Sequence, residues 1–112
     1  MHHREPGVLG AILYSDNIIP ELIADTIHVH PIAMKILIHY LGTDCIVLIT
    51  DAMAGAGLSD GTYELVGHNV IVKNGCATLA NSTLSGSTVT LNNCINIKQK
   101  VSISLNESVK MV

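Results

Sequence analysis

Ile46-Val47-Leu48-Ile49-Thr50-Asp51-Ala52-Met53-Ala54-Gly55-Ala56-Gly57 passes from aliphatic, mostly β-branched residues to a carboxylate and then to a loop of small residues and glycines. A run that apolar fits a strand covered on both faces, at the centre of a parallel sheet or barrel. In a (β/α) barrel the chemistry sits where strands end at their C-terminal rim. Asp51 is therefore a candidate catalytic group. Its other reading is a cap on a turn or a following helix, the commoner fate of an Asp after a strand. The surrounding sequence favours the catalytic role.

Upstream, Pro31 opens a helix predicted to run to Leu41, because proline suits the first helical position and Gly42 suits the stop. Ile32, Met34, Ile36, Leu37, Ile38 and Leu41 give it a broad apolar surface, with Lys35 and His39 sharing one side. Residues 17–24 read as another strand, which Pro20 pushes to start after itself. Strand, helix and strand (45–50) with short links form a βα repeat and call for parallel pairing. Ahead of them lie a polar loop, 1–7, and one or two helical turns over 8–14.

From residue 61 the pattern changes. Residues 62–66, 69–73 and 76–80 read as short β segments separated by Gly67-His68 and Asn74-Gly75, the latter a hairpin signal. Residues 84–90 form a glycine-bearing loop leading to a helix over about 88–98. Ser104 and Glu107 make a capping box for a final amphipathic stretch. The organisation expected is βα units over 1–60, short β segments of a second, small β domain over 61–82, and a return to terminal helices over 83–112. Both ends read as internal to a longer polypeptide. A two-strand piece with bare edges is not expected to fold stably without the remainder.

Composition narrows the function. The 112 residues are 48% hydrophobic but include three Tyr, no Phe and no Trp, as suits strands inside a larger α/β body. A net charge of −3 and six Lys and Arg argue against a nucleic-acid surface. No apolar run reaches the length of a membrane span, and no secretory pattern opens the chain, so a cytoplasmic setting is expected. Cys45, Cys76 and Cys94 are odd in number and widely spaced, and they read as reduced, buried thiols.

Four stretches, His3-Arg4-Glu5-Pro6-Gly7, Ile23 to Pro31, Thr50 to Gly57 and Leu84-Ser85-Gly86-Ser87, resemble in order and spacing the N-acetylglucosamine-6-phosphate deacetylases of the amidohydrolase superfamily. The resemblance spans the whole chain. It implies the last strands and helices of a (β/α)8 barrel, beside the short strands of a small β-sandwich domain. The implied reaction is metal-dependent hydrolysis of the acetamide of N-acetylglucosamine 6-phosphate to glucosamine 6-phosphate and acetate.

The resemblance also distributes roles. Asp51 becomes the acid/base at the end of the eighth strand, since amide hydrolysis needs a group that accepts a proton from water and returns one to the leaving amine. His28 becomes a substrate contact at the end of the seventh strand, with Asp25, Thr26 and Ile27 beside it on the rim. Arg4 becomes the holder of the 6-phosphate, for which a planar guanidinium is suited. Leu84, Ser85 and Gly86 become a loop whose backbone lies against the substrate. The family usually has Gly where this chain has Thr26, so a β-branched residue there would tighten the pocket or shift the backbone.

The divalent metal, zinc or iron, would be held by a glutamate and two histidines with no counterpart in this segment. His28 and His30 at i, i+2 point to opposite faces, and His39 and His68 read as surface residues. The partner implied is a small sugar phosphate, with a homo-oligomeric parent, no nucleic acid and no membrane. Two other readings stay open. One is an amidohydrolase acting on a different amide; the other is a catalytically inert segment.

Overall fold

The computed structural model describes residues 1–112. The decisive strand forms, shorter than its apolar run. Residues Val47–Ile49 (β2) pair in parallel with Glu21–Ile23 (β1), in the register Glu21 to Val47, Leu22 to Leu48 and Ile23 to Ile49. β1 begins just after Pro20, whose carbonyl accepts the Val47 N–H. Cys45, expected inside the strand, ends a 3-10 turn over Thr43–Cys45 instead. Leu22 and Leu48 are buried. The outer edge of β2 is partly covered by the chain's last residues, because Leu48 N–H donates to the Met111 carbonyl.

Gly7–Tyr14 (α1) supplies the first helix, and Pro31–Leu41 (α2) the crossover between the parallel strands. α2 has the predicted limits: Pro31 occupies its first turn, and Gly42 leaves it at φ +78°. His30 caps its start, Nδ1 accepting from Ile32 N–H. Met34, Leu37 and Ile38 turn inward, while Ile32, Ile36 and Tyr40 form an exposed apolar stripe at i, i+4, i+8. Leu22, Met34, Leu37, Ile46, Leu48, Cys94, Ile97, Val101 and Met111 belong to the first core. Burying a Leu of this kind contributes about 1.5–3 kcal/mol.

Three antiparallel strands follow: Gly61–Leu65 (β3), His68–Lys73 (β4) and Cys76–Thr78 (β5). Leu65 pairs with His68 and Lys73 with Cys76, so both connections are two-residue turns. Asn74-Gly75 is the predicted hairpin. The other turn is Val66-Gly67, not Gly67-His68, with His68 already in β4. Val70, Val72 and Ala77 pack with Met53 in a second core.

The helix predicted over 88–98 is broken. It appears as Leu91–Ile95 (α3) and Lys98–Val101 (α4), parted at Asn96 and Ile97. Leu105–Lys110 (α5) carries the predicted capping box. Glu107 N–H donates to Ser104 Oγ, and Ser104 N–H donates to the Glu107 carboxylate at 2.7 Å. The fold is thus α/β, with two small sheets and a core on each. Among the thiols only Cys94 is buried; Cys45 is exposed because it sits on the 3-10 turn rather than in the strand. No helix is long and apolar enough to cross a membrane.

Candidate active site

Parallel pairing sends β1 and β2 out of the sheet at the same end. Asp25 and Asp51 each lie two residues beyond the last paired position, Ile23 opposite Ile49. The loop after β1 is organised by Asp25. Its Oδ1 accepts from the N–H groups of Ile27 and His28, both at 2.9 Å, and its Oδ2 meets His28 Nδ1 at 2.6 Å. Burial pushes the Asp25 carboxyl up, but hydrogen bonds from the His28 N–H and ring and the Ile27 N–H outweigh it and hold the pKa below its ordinary value. Thr26 makes the bend at φ +68°, a left-handed backbone in which glycine is unstrained and a β-branched residue is not. The chain keeps that backbone despite the threonine.

After β2 the backbone turns left-handed at Asp51, φ +48°, and Met53 drops into the second core. Asp51 is exposed, its carboxylate free of side-chain hydrogen bonds. Residues 83–87 lie between the two sheets. Leu79 N–H donates to the Thr83 carbonyl, and Ser85 N–H to that of Ala77; on the opposite side Ser87 N–H donates to the Asp51 carbonyl at 2.8 Å, and Met53 N–H to that of Ser87. Gly86 therefore passes directly beside Asp51.

Ser87 was not among the predicted site residues, yet it does most to fix Asp51. It is buried; its hydroxyl donates to the Thr50 carbonyl and accepts from Val89 N–H. Its partners in the β2 segment, Asp51 and Thr50, lie 36 and 37 positions away, and the only sequence signal was its place after Gly86 in a motif. Cys94 lies beneath the same strand end, with Sγ 3.7 Å from the Ile49 carbonyl oxygen. Burial, with the negative Asp25 nearby, pushes its thiol up.

The structure thus brings Asp25, Thr26, Ile27, His28, Asp51 and Gly86 to one end of the parallel pair. Leu84 and Ser85 are turned toward β5, Leu84 bridging Thr78. Arg4 makes no hydrogen bond to any of these residues and sits on a tight turn closed by reciprocal His2 and Glu5 backbone bonds. Its guanidinium meets the His3 ring at 3.0 Å and forms no ion pair, with Glu5 or with any other acid. His39 and His68 are exposed. No three His, Cys, Asp or Glu side chains converge as ligands for a metal ion.

No protein-family model matches the chain. Individual proteins do. It is 47% identical over 91 residues to the N-acetylglucosamine-6-phosphate deacetylase of Bacillus subtilis, covering 81% of this chain and 23% of that protein. It is 41% identical over 112 residues to the N-acetylgalactosamine-6-phosphate deacetylase of Escherichia coli O157:H7, covering 99% of this chain and 29% of that protein. The crystal structure of N-acetylglucosamine-6-phosphate deacetylase from Thermotoga maritima superimposes with a TM-score of 0.91 at 37% identity, over 98% of this chain and 31% of that one. The chain spans under a third of the length of these relatives. At this identity, and with its backbone arranged as in the Thermotoga maritima structure, the chain belongs to the N-acetylglucosamine-6-phosphate deacetylase family.

Proposed function

We propose that this segment forms one wall of the active site of an enzyme that hydrolyses the acetamide of N-acetylglucosamine 6-phosphate, giving glucosamine 6-phosphate and acetate. The observation that carries it is the parallel register that sends the His28 loop and Asp51 out of the same sheet end. In this reading β1 and β2 are the seventh and eighth strands of a (β/α)8 barrel. The antiparallel strands belong to a small β domain beside it, the parent is a homo-oligomer, and the enzyme is cytoplasmic. The chain's own residues do not fit a metal centre. A divalent cation, zinc or iron, which would polarise the amide and the attacking water, would be held outside residues 1–112.

The chain's residues then divide the remaining work. The exposed Asp51 carboxylate takes a proton from the attacking water and returns one to the leaving amine nitrogen. His28 contacts the sugar through Nε2, and the backbone of Leu84, Ser85 and Gly86 lies alongside it. Arg4 clamps the 6-phosphate once its turn is brought against the substrate.

The test is Asp51→Asn in the full-length enzyme that carries this segment. The expected result is a loss of kcat of about 10²–10⁴-fold with substrate binding kept. Near-normal turnover removes Asp51 from the mechanism. Arg4→Ala should raise KM for the phosphorylated sugar, and an unchanged KM ends the phosphate assignment.

The 41% identity to a galactosamine-type deacetylase supports a second reading, in which the substrate is the epimeric sugar phosphate. The ratio of kcat/KM for the two epimers decides between them.

A further inference from the structure

Both oxygens of Asp25 are already engaged, and little of the side chain is open to a ligand. One oxygen accepts two backbone N–H groups and the other the His28 ring, and only 7% of the side chain is exposed. An ionised carboxylate can only accept, so the hydrogen in the 2.6 Å contact sits on His28 Nδ1. The other ring nitrogen, Nε2, has no partner in the chain, yet it is not among buried unpartnered atoms and so reaches solvent.

We infer that Asp25 is a positioning residue: it fixes His28 in the Nδ1–H tautomer and so presents Nε2 to the sugar phosphate. The identity of that ligand rests on the deacetylase reading; the tautomer does not. A neutral ring held this way accepts a hydrogen bond at Nε2, which suits a sugar hydroxyl. Only the imidazolium donates there, as a phosphate or amide oxygen would require. Asp25 thereby leaves the group of substrate ligands and joins the framework behind one. The left-handed bend at Thr26 returns the Ile27 and His28 amides to Oδ1 and so anchors the carboxylate that aims the ring.

The test is the long-range proton–nitrogen correlation spectrum of His28 in the full-length enzyme that carries this segment, ¹⁵N-labelled at histidine, at a pH where the ring is neutral. The expected spectrum has a protonated Nδ1 and an unprotonated Nε2, the reverse of the tautomer preferred by free imidazole. Asp25→Asn keeps an oxygen for the two amides but offers an NH₂ group to the ring, so the proton should move to Nε2. An Nε2–H ring in the wild-type chain overturns the inference by itself, as does an Nδ1–H ring surviving in the Asp25→Asn chain. The Nδ1–H tautomer found in an enzyme that fails to deacetylate either sugar phosphate leaves Asp25's role standing and removes only the functional reading.

Discussion

A Cβ placed on Gly86 would lie 3.2 Å from the carbonyl oxygen of Asp51 and 3.1 Å from the Cβ of Met53, on a backbone at φ +67°. That carbonyl is the one to which Ser87 N–H donates. Glycine is thus required twice over, by conformation and by the close passage of the two segments. Gly86→Ala should destabilise the fold by about 1–3 kcal/mol and loosen the Ser87 to Asp51 hydrogen bond. Denaturant midpoints, with amide exchange at Ser87, check this. An unchanged midpoint together with a protected Ser87 amide would contradict the packing described.

Asp51 itself stands at φ +48°, where Asn and Asp are tolerated and other side chains are strained. Asp51→Asn should therefore leave stability within about 0.5 kcal/mol, since the exposed carboxylate makes no hydrogen bond to lose. Asp51→Ala should cost about 1–2 kcal/mol through backbone strain alone. Paired urea titrations separate the two. This contrast makes the asparagine variant the proper probe of chemistry, because an activity lost by the alanine variant mixes strain with the missing proton acceptor.

What was legible in the sequence was local. Helix Pro31–Leu41 followed from proline and glycine at its ends, and the Asn74-Gly75 turn from residues that accept positive φ. The neighbouring turn was misplaced by one residue because Val66 is β-branched and gives no turn signal, yet strand pairing forces it to φ +50°. The helix expected over 88–98 breaks at Asn96-Ile97, although Cys94, Ile97 and Val101 keep the i, i+3, i+7 spacing of one helical face and share one core. Asp25, His28 and Asp51 were visible as polar groups following apolar runs. Ser87 was not, since its value lies in bonds to Thr50 and Asp51, across more than thirty residues. Hydrogen bonds of that span leave no periodic trace in the chain.

Acid should find the Asp25 loop. Its carboxyl is shifted below the ordinary value of 3.8, so the folded state binds this proton more weakly than the unfolded state. The stability it contributes is complete above that ordinary value and disappears as pH falls through the lowered folded one. Exposed Glu107 behaves in the same sense: hydrogen bonds from the Ser104 side chain and backbone lower it from 4.5. Denaturant midpoints followed down from neutral pH should fall in the wild type and flatten in an Asp25→Asn, Glu107→Gln double variant. Equal slopes for the two proteins below about pH 4 would show that neither carboxyl carries the linkage.

Val66 offers a gain rather than a loss. It occupies the first position of a two-residue turn with Gly67, and both residues have positive φ, as type I′ turns demand. Its side chain is 89% exposed, so replacing it forfeits almost no packing. Asparagine relieves the left-handed strain on a β-branched residue while the β3–β4 register is kept. Val66→Asn should raise stability by about 1 kcal/mol, seen as a higher urea midpoint at unchanged slope. Val66→Ile, equally β-branched, should give no such rise. If Ile and Asn raise the midpoint alike, backbone strain is not what this turn stores.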